Sequence, residues 1–165
     1  MIYYSRVANP AFTDVRQKVD QLAQSAKSAD QLMSGVVTLL HENLLKYNWV
    51  GFYMLEQKSE PMLVLGAFEG AMTPHTRIPL NQGICGAAAS TGQTVVVDDV
   101  SADSRYLACS TETKSEIVVP IFVAGKVVGE LDIDSHFPAA FTPEDRELVE
   151  YCASIVGKFI EKGGQ

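Results

Sequence analysis

Residues 115–135 constrain the fold of this chain more than any other stretch. Glu116 to Ala124 is dense in β-branched residues and reads as a strand; Ala124-Gly125-Lys126 turns the chain, and Val127 to Asp134 returns as its hairpin partner. In the returning strand Glu130, Asp132 and Asp134 alternate with Gly129, Leu131 and Ile133. A strand has a side-chain period of two, so the three carboxylates project from one face. Like charges at neighbouring same-face positions repel, and the preceding strand adds Glu116. Two readings follow. The face is solvated and the acids are ordinary surface groups, or it is covered and repulsion with desolvation raises at least one carboxyl pKa, creating a proton donor near neutral pH.

The remaining segments surround this hairpin. Val15, Val19 and Leu22 mark one helical stripe, and Leu32, Val36, Leu39, Leu40 and Leu44 mark a second and stronger one. Ser28 or Asp30 can cap the second helix, and Asn48 is expected to close it before a β-rich run, Trp49 to Leu55. Met62 to Phe68 forms the next strand, after a polar turn over Gln57 to Pro61. Gly83 to Gly92 is a short helix of small residues that carries Cys85, and Thr94 to Val97 is a short strand. Asp98 to Thr113 reads as a polar loop with one apolar island. Thr142-Pro143-Glu144-Asp145 starts a last helix running to Glu161, with a cap, a first-turn proline and acids at the positive end.

This order predicts an α+β domain. A central antiparallel sheet carries the N- and C-terminal helices on one face; the excursion from Pro74 to Ser115 covers the other, with a ligand pocket beneath it. The chain has 165 residues, 47% of them hydrophobic, enough for one domain spanning 1–165. Twenty acidic against 13 basic residues give a net charge of -7 with no basic stripe, which argues against nucleic acid as a partner. No apolar run reaches the roughly 20 residues of a bilayer span, and Met1 to Asn9 lacks the layout of a signal peptide, so a cytoplasmic protein without membrane contact is expected.

Cys85, Cys109 and Cys152 form neither a disulfide framework nor a C-x-x-C pair, and His41, His75 and His136 stand at no metal-ligand spacing from them. Neither a structural metal nor a cofactor is expected. Cys109 lies in the apolar island Tyr106-Leu107-Ala108-Cys109-Ser110, seven positions before Glu116; it is either a loop anchor or a functional thiol. Cys85, near a helix start, sits where partial positive charge favours a thiolate, although simple packing explains it equally. Cys152 belongs to the core of the last helix. Trp49 and Tyr53 share one strand face, with Phe52 on the other, and form either core or the apolar wall of a small-ligand site.

Taken in order, Asn48-Trp49-Val50-Gly51-Phe52-Tyr53, Arg77-Ile78-Pro79, Gly83-Ile84-Cys85-Gly86, Ala108-Cys109, Ser115-Glu116-Ile117-Val118-Val119-Pro120 and Leu131-Asp132-Ile133-Asp134-Ser135 resemble the free methionine (R)-sulfoxide reductase family, which has a GAF-like fold. The resemblance is close from Asn48 to Ser135. It implies a sheet-based pocket for free methionine sulfoxide with Cys109 as nucleophile, Glu116, Asp132 and Asp134 as substrate-binding carboxylates, and Trp49 and Tyr53 as the aromatic wall. Cys109 then attacks the sulfoxide sulfur while one of the three carboxyls donates a proton, and the resulting sulfenic acid condenses with a second thiol to a disulfide that a thioredoxin-like donor reduces.

The family often has a cysteine two residues before Arg77, where this chain has His75, leaving Cys85 as the matching second thiol. Tyr106 and Ser110 also replace the commoner His and Asp of the nucleophile loop. The same resemblance admits a GAF domain that binds a small molecule without turnover, and Cys85 with Cys109 could serve as a redox switch. GAF relatives commonly pair through terminal helices, which makes a homodimer the expected assembly.

Overall fold

A computed structural model describes residues 8–108 and 110–164. Helix α1 (Pro10–Ser25) starts at Asn9, whose side chain accepts from the Ala11 N–H at 3.0 Å, with proline at the first helical position. Helix α2 (Ala29–Asn43) is capped by Ser28, which accepts from the Gln31 N–H at 3.1 Å. Strands β1 (Trp49–Glu56), β2 (Met62–Glu69) and β3 (Arg77–Pro79) follow, then α3 (Gly83–Thr91), β4 (Val95–Val97), a 3-10 turn at Val100–Ala102, β5 (Ser115–Val123), β6 (Lys126–Ser135) and α4 (Pro143–Glu161). The six strands form one antiparallel sheet in the order β3-β2-β1-β6-β5-β4.

Two clusters of buried side chains show how the sheet is used. Helices α2 and α4 pack on one face and α1 packs on both of them. Their Val19, Leu32, Val36, Leu40, Leu148 and Val156 meet Phe52, Ile117, Leu131 and Ile133 of the sheet. Each such buried aliphatic side chain contributes roughly 1.5–3 kcal/mol. On the opposite face α3 packs against β5 and β6. There Ile84, Cys85 and Ala88 meet Trp49, Tyr53, Val97 and Val118. Alternation along each strand sorts the side chains between these layers, as the period of two requires. The α+β arrangement expected from the element order is the one observed.

Three local features differ from the sequence expectation. Helix α2 ends at Asn43, with the Leu44 N–H on Leu40 O, well before Asn48. Asn48 instead ties β1 to β6: its N–H donates to Asp134 O at 3.0 Å and its Oδ1 accepts from the His136 N–H at 2.7 Å. Strand β3 lies inside the expected excursion, where three residues on the sheet edge are too few to show alternation. The loop after β4 holds the 3-10 turn, capped by Asp99.

The connection into β1 is fastened to α4 by one buried carboxylate. Asp145 accepts from the Tyr47 hydroxyl at 2.8 Å and from the Thr142 N–H and hydroxyl at 2.9 and 2.6 Å, while its own N–H donates to Thr142 Oγ1 at 3.3 Å. This is a capping box with an added long-range bond. Asp145→Ala removes the cap and strands a buried hydroxyl, so it is expected to lower the unfolding free energy by about 2–4 kcal/mol. Urea denaturation followed by circular dichroism measures this, and a loss below about 0.5 kcal/mol would show that the box does not hold α4.

Candidate functional site

The acids of the returning strand face α3, not solvent. Glu130 is completely buried, and Glu116, Asp132 and Asp134 are each 5% exposed. Register places them: Glu116 pairs with Asp134 across β5 and β6, while on the other side of β6 Trp49 pairs with Asp134, Gly51 with Asp132 and Tyr53 with Glu130. The solvated-face reading is thereby excluded.

Gly51 is required here. A Cβ at that position would lie 2.3 Å from the Trp49 indole, which folds back over it. The indole is fixed further by its N–H donating to Ala71 O at 3.0 Å and by stacking on Phe68 with centroids 5.8 Å apart. Gly70 serves the same packing: it has a φ of 118°, and a Cβ there would lie 2.8 Å from the Trp49 ring.

A small cavity of about 80 Å³ opens above this floor. Trp49 and Tyr53 form one wall, Asp132 and Asp134 the floor, and Ser110, Glu112 and Thr113 the loop side. At its mouth His136 Nε2 lies 3.6 Å from Glu112 Oε2. Glu116, Glu130 and Cys85 stand behind the floor and do not line the cavity. Glu116 reaches it through a hydrogen bond to Asp132, a carboxyl pair in which one member must carry the proton. Tyr53 does not offer its hydroxyl proton to the cavity, because the hydroxyl donates to His75 O at 2.7 Å. The His75 ring in turn donates from Nε2 to Ala108 O at 3.2 Å, so β1 is linked to the Tyr106–Ser110 island through the residue that stands in the cysteine position. Cys109 itself lies outside the described residues.

The electrostatics follow from burial. Desolvation pushes Asp132 up to about 6, against smaller opposing effects of its bonds to Glu116 and Cys85. Glu130 is raised well above the usual carboxylate range by desolvation, and Asp134 by desolvation and then by Asp132. Among the described residues no Lys, Arg or His forms an ion pair with Glu130, Asp132 or Asp134. Both Glu130 oxygens, Asp132 Oδ1 and Asp134 Oδ1 lack hydrogen-bond partners there.

The surroundings of Cys85 separate the two readings of its place in α3. Its thiol donates to Asp132 Oδ2 at 3.4 Å, and burial, then Asp132, Glu130 and Glu116, raise its pKa well above the ordinary thiol value. A helix N-terminus contributes less than about 2 kcal/mol in favour of a thiolate, too little against desolvation and three acids. Cys152 is fully buried in α4, as expected.

The geometry therefore matches a pocket that receives a cationic group over acids beside an aromatic wall, and comparison with known proteins gives it a family. A GAF domain model matches residues 28–160. The free methionine-R-sulfoxide reductase of Escherichia coli is 35% identical over 136 residues, covering 82% of this chain and 80% of that protein. The chain belongs to the free methionine-R-sulfoxide reductase family. A second free methionine-R-sulfoxide reductase, from Saccharomyces cerevisiae, is 42% identical over 112 residues, or 67% of this chain and 62% of that protein. The structure of free methionine-R-sulfoxide reductase from Neisseria meningitidis in complex with its substrate superposes with a TM-score of 0.86 at 35% identity, covering 93% of this chain and 92% of that one.

Glu130 is the site residue that sequence reasoning placed on the right face but left without a role. Only the position of α3 shows that it faces Cys85. Among groups able to hold a metal, Cys85, Glu116 and Asp132 each offer a donor atom, all within 4.8 Å of one another.

The raised carboxyl pKa values carry a stability consequence. An unfolded Asp132 ionises through pH 3.8 while the folded one keeps its proton to about 6, so its contribution is fully present below 3.8 and is lost as pH rises through 6. Between pH 5 and pH 8 the ligand-free protein is expected to lose at least about 1 kcal/mol from this group alone. Asp132→Asn should flatten that dependence. Urea midpoints at the two pH values test it, and a wild-type protein more stable at pH 8 would contradict the burial argument.

Proposed function

We propose that this protein reduces free methionine (R)-sulfoxide to methionine. The observation that carries the reading is the acid floor, whose Asp132 and Asp134 form no ion pair among the described residues, set beside the Trp49 and Tyr53 wall. A free amino acid brings an ammonium, which a peptide-linked residue lacks. Asp132 and Asp134, backed by Glu116, bind that ammonium, and the aromatic wall packs against the thioether end. The raised carboxyls supply a proton donor at neutral pH.

In this reading Cys109 attacks the sulfoxide sulfur while a floor carboxyl protonates the oxygen. In net, the thiol and the sulfoxide become a sulfenic acid and methionine. Water leaves when a second thiol condenses with the sulfenic acid, and a thioredoxin-like dithiol reduces the disulfide. The hydrogen bond to Ala108 and the position of Ser110 on the cavity support a reacting group between them. Cys85 is the second thiol carried by this chain near the floor, and its proton goes to Asp132 when it reacts. The chain works as a single domain, pairs as a homodimer, and acts in the cytoplasm; none of the described helices is long and apolar enough to cross a membrane.

Racemic free methionine sulfoxide incubated with dithiothreitol and the protein should lose only its R epimer, as resolved by chiral chromatography. Cys109→Ser should abolish turnover, at least a thousandfold, and Cys85→Ser should spare the first turnover. Binding of the amino acid with no epimer consumed would select a non-catalytic GAF module in place of the reductase.

A further inference from the structure

Beneath the cavity lies a group of donors that shares only Asp132 with the cavity lining. Cys85 comes from α3, Glu116 from β5 and Asp132 from β6, and one donor atom of each lies within 4.8 Å of the others. The Cys85 Sγ to Asp132 Oδ2 distance is 3.4 Å. In a tetrahedral zinc site with a sulfur at ~2.3 Å and an oxygen at ~2.0–2.2 Å, that edge is about 3.5 Å. One edge of the tetrahedron is thus already set. A second observation points into the same space: Glu130, wholly buried, turns its carboxyl toward the Cys85 sulfur, and apart from that thiol neither oxygen has a hydrogen-bond partner among the described residues.

We propose that Cys85, Glu116 and Asp132 form a binding site for a thiophilic divalent cation, zinc in particular, with Glu130 or a water in the fourth position. A sulfur and two carboxylates make a poor site for Mg2+ or Ca2+, which take oxygen ligands throughout, whereas zinc accepts mixed sulfur and oxygen ligands at low coordination number. The ion supplies the positive charge that the floor lacks. The three donors are separated in sequence by 31 and 16 positions and include two carboxylates, so a search for cysteine and histidine spacing does not register them. Because Asp132 is shared, the ion competes with an ammonium bound in the cavity above. The site does not rest on the reductase reading, with whose ammonium and second thiol the ion competes, and its test involves no turnover.

Co2+ is the probe. Chelator-stripped full-length protein, kept anaerobic without added thiol, is titrated with Co2+ and then with Zn2+. One equivalent of Co2+ should give a near-ultraviolet thiolate-to-cobalt charge-transfer band that one equivalent of Zn2+ removes. The band should vanish in Cys85→Ser and persist in Cys109→Ser, and Asp132→Asn or Glu116→Gln should weaken Co2+ binding at least tenfold with an unchanged circular dichroism spectrum. Absence of the band in wild-type protein, or a band that survives Cys85→Ser, overturns the site. Should Cys85→Ser not fold, undiminished affinity in Asp132→Asn overturns it equally.

Discussion

Four carboxyl groups buried on one face of a β-hairpin, with no cation paired to Glu130, Asp132 or Asp134 among the described residues, are the constraint around which this molecule is built. Burying a charge without a partner is costly, and proteins ordinarily avoid it by protonating the group or pairing it. Here desolvation favours the protonated form of Glu130 and Asp134, and the Glu116 to Asp132 bond requires one proton between those two carboxyls. The cost is tolerable because the opposite face of the same strands is an apolar layer of aliphatic and aromatic side chains under α2 and α4. One sheet thus separates stability from chemistry, and the two are linked only through the pleat that sends alternate side chains to opposite sides.

That separation explains what the sequence makes legible. The hairpin, the helical stripes and the common face of the acids all follow from periodicity, which is a local property. Whether that face is wet or dry is not local; it depends on α3, whose small residues let its backbone sit close to the β3 end, where a Cβ on Gly86 would lie 2.8 Å from Leu80 O. The same dependence decides between the two readings of Cys85. Its helix position favours a thiolate and its small neighbours favour plain packing, but the atoms that decide its protonation come from β5 and β6. Asn48 shows the complementary case. As a polar residue before a strand it looks like a helix terminator, yet both its bonds run across the sheet, to Asp134 and His136. The edge strand β3 escaped notice because a three-residue strand carries no period.

The family resemblance groups residues that periodicity leaves separate: Trp49, Tyr53, Asp132 and Asp134 line the cavity, and Glu116 stands behind it. It rests on short strings whose spacing has a physical reason in the fold. Gly51, two residues before Tyr53 and two after Trp49, permits the indole to fold back over β1, where a Cβ would lie 2.3 Å from the ring. Where the chain departs from the family pattern, the replacement is structural rather than empty: the His75 carbonyl accepts from the Tyr53 hydroxyl and the His75 ring donates to Ala108 O. A side chain that could have been a thiol has become a strut between the sheet and the loop.

The walls of the cavity are consequently unequal in rigidity of attachment. On the β1 side the indole is held by a hydrogen bond to Ala71, by Phe68 and by two glycine contacts, and Tyr53 by its bond to His75. On the loop side the described contact across the mouth is His136 with Glu112 at 3.6 Å, between side chains 43% and 71% exposed. An exposed ion pair of that kind is worth at most about 1 kcal/mol. In the proposed function, recognition of the ammonium and of the apolar end belongs to the preorganised sheet, where binding costs little ordering. Selectivity in that reading is set by the acids, the indole and Tyr53, because the described contacts hold them in place.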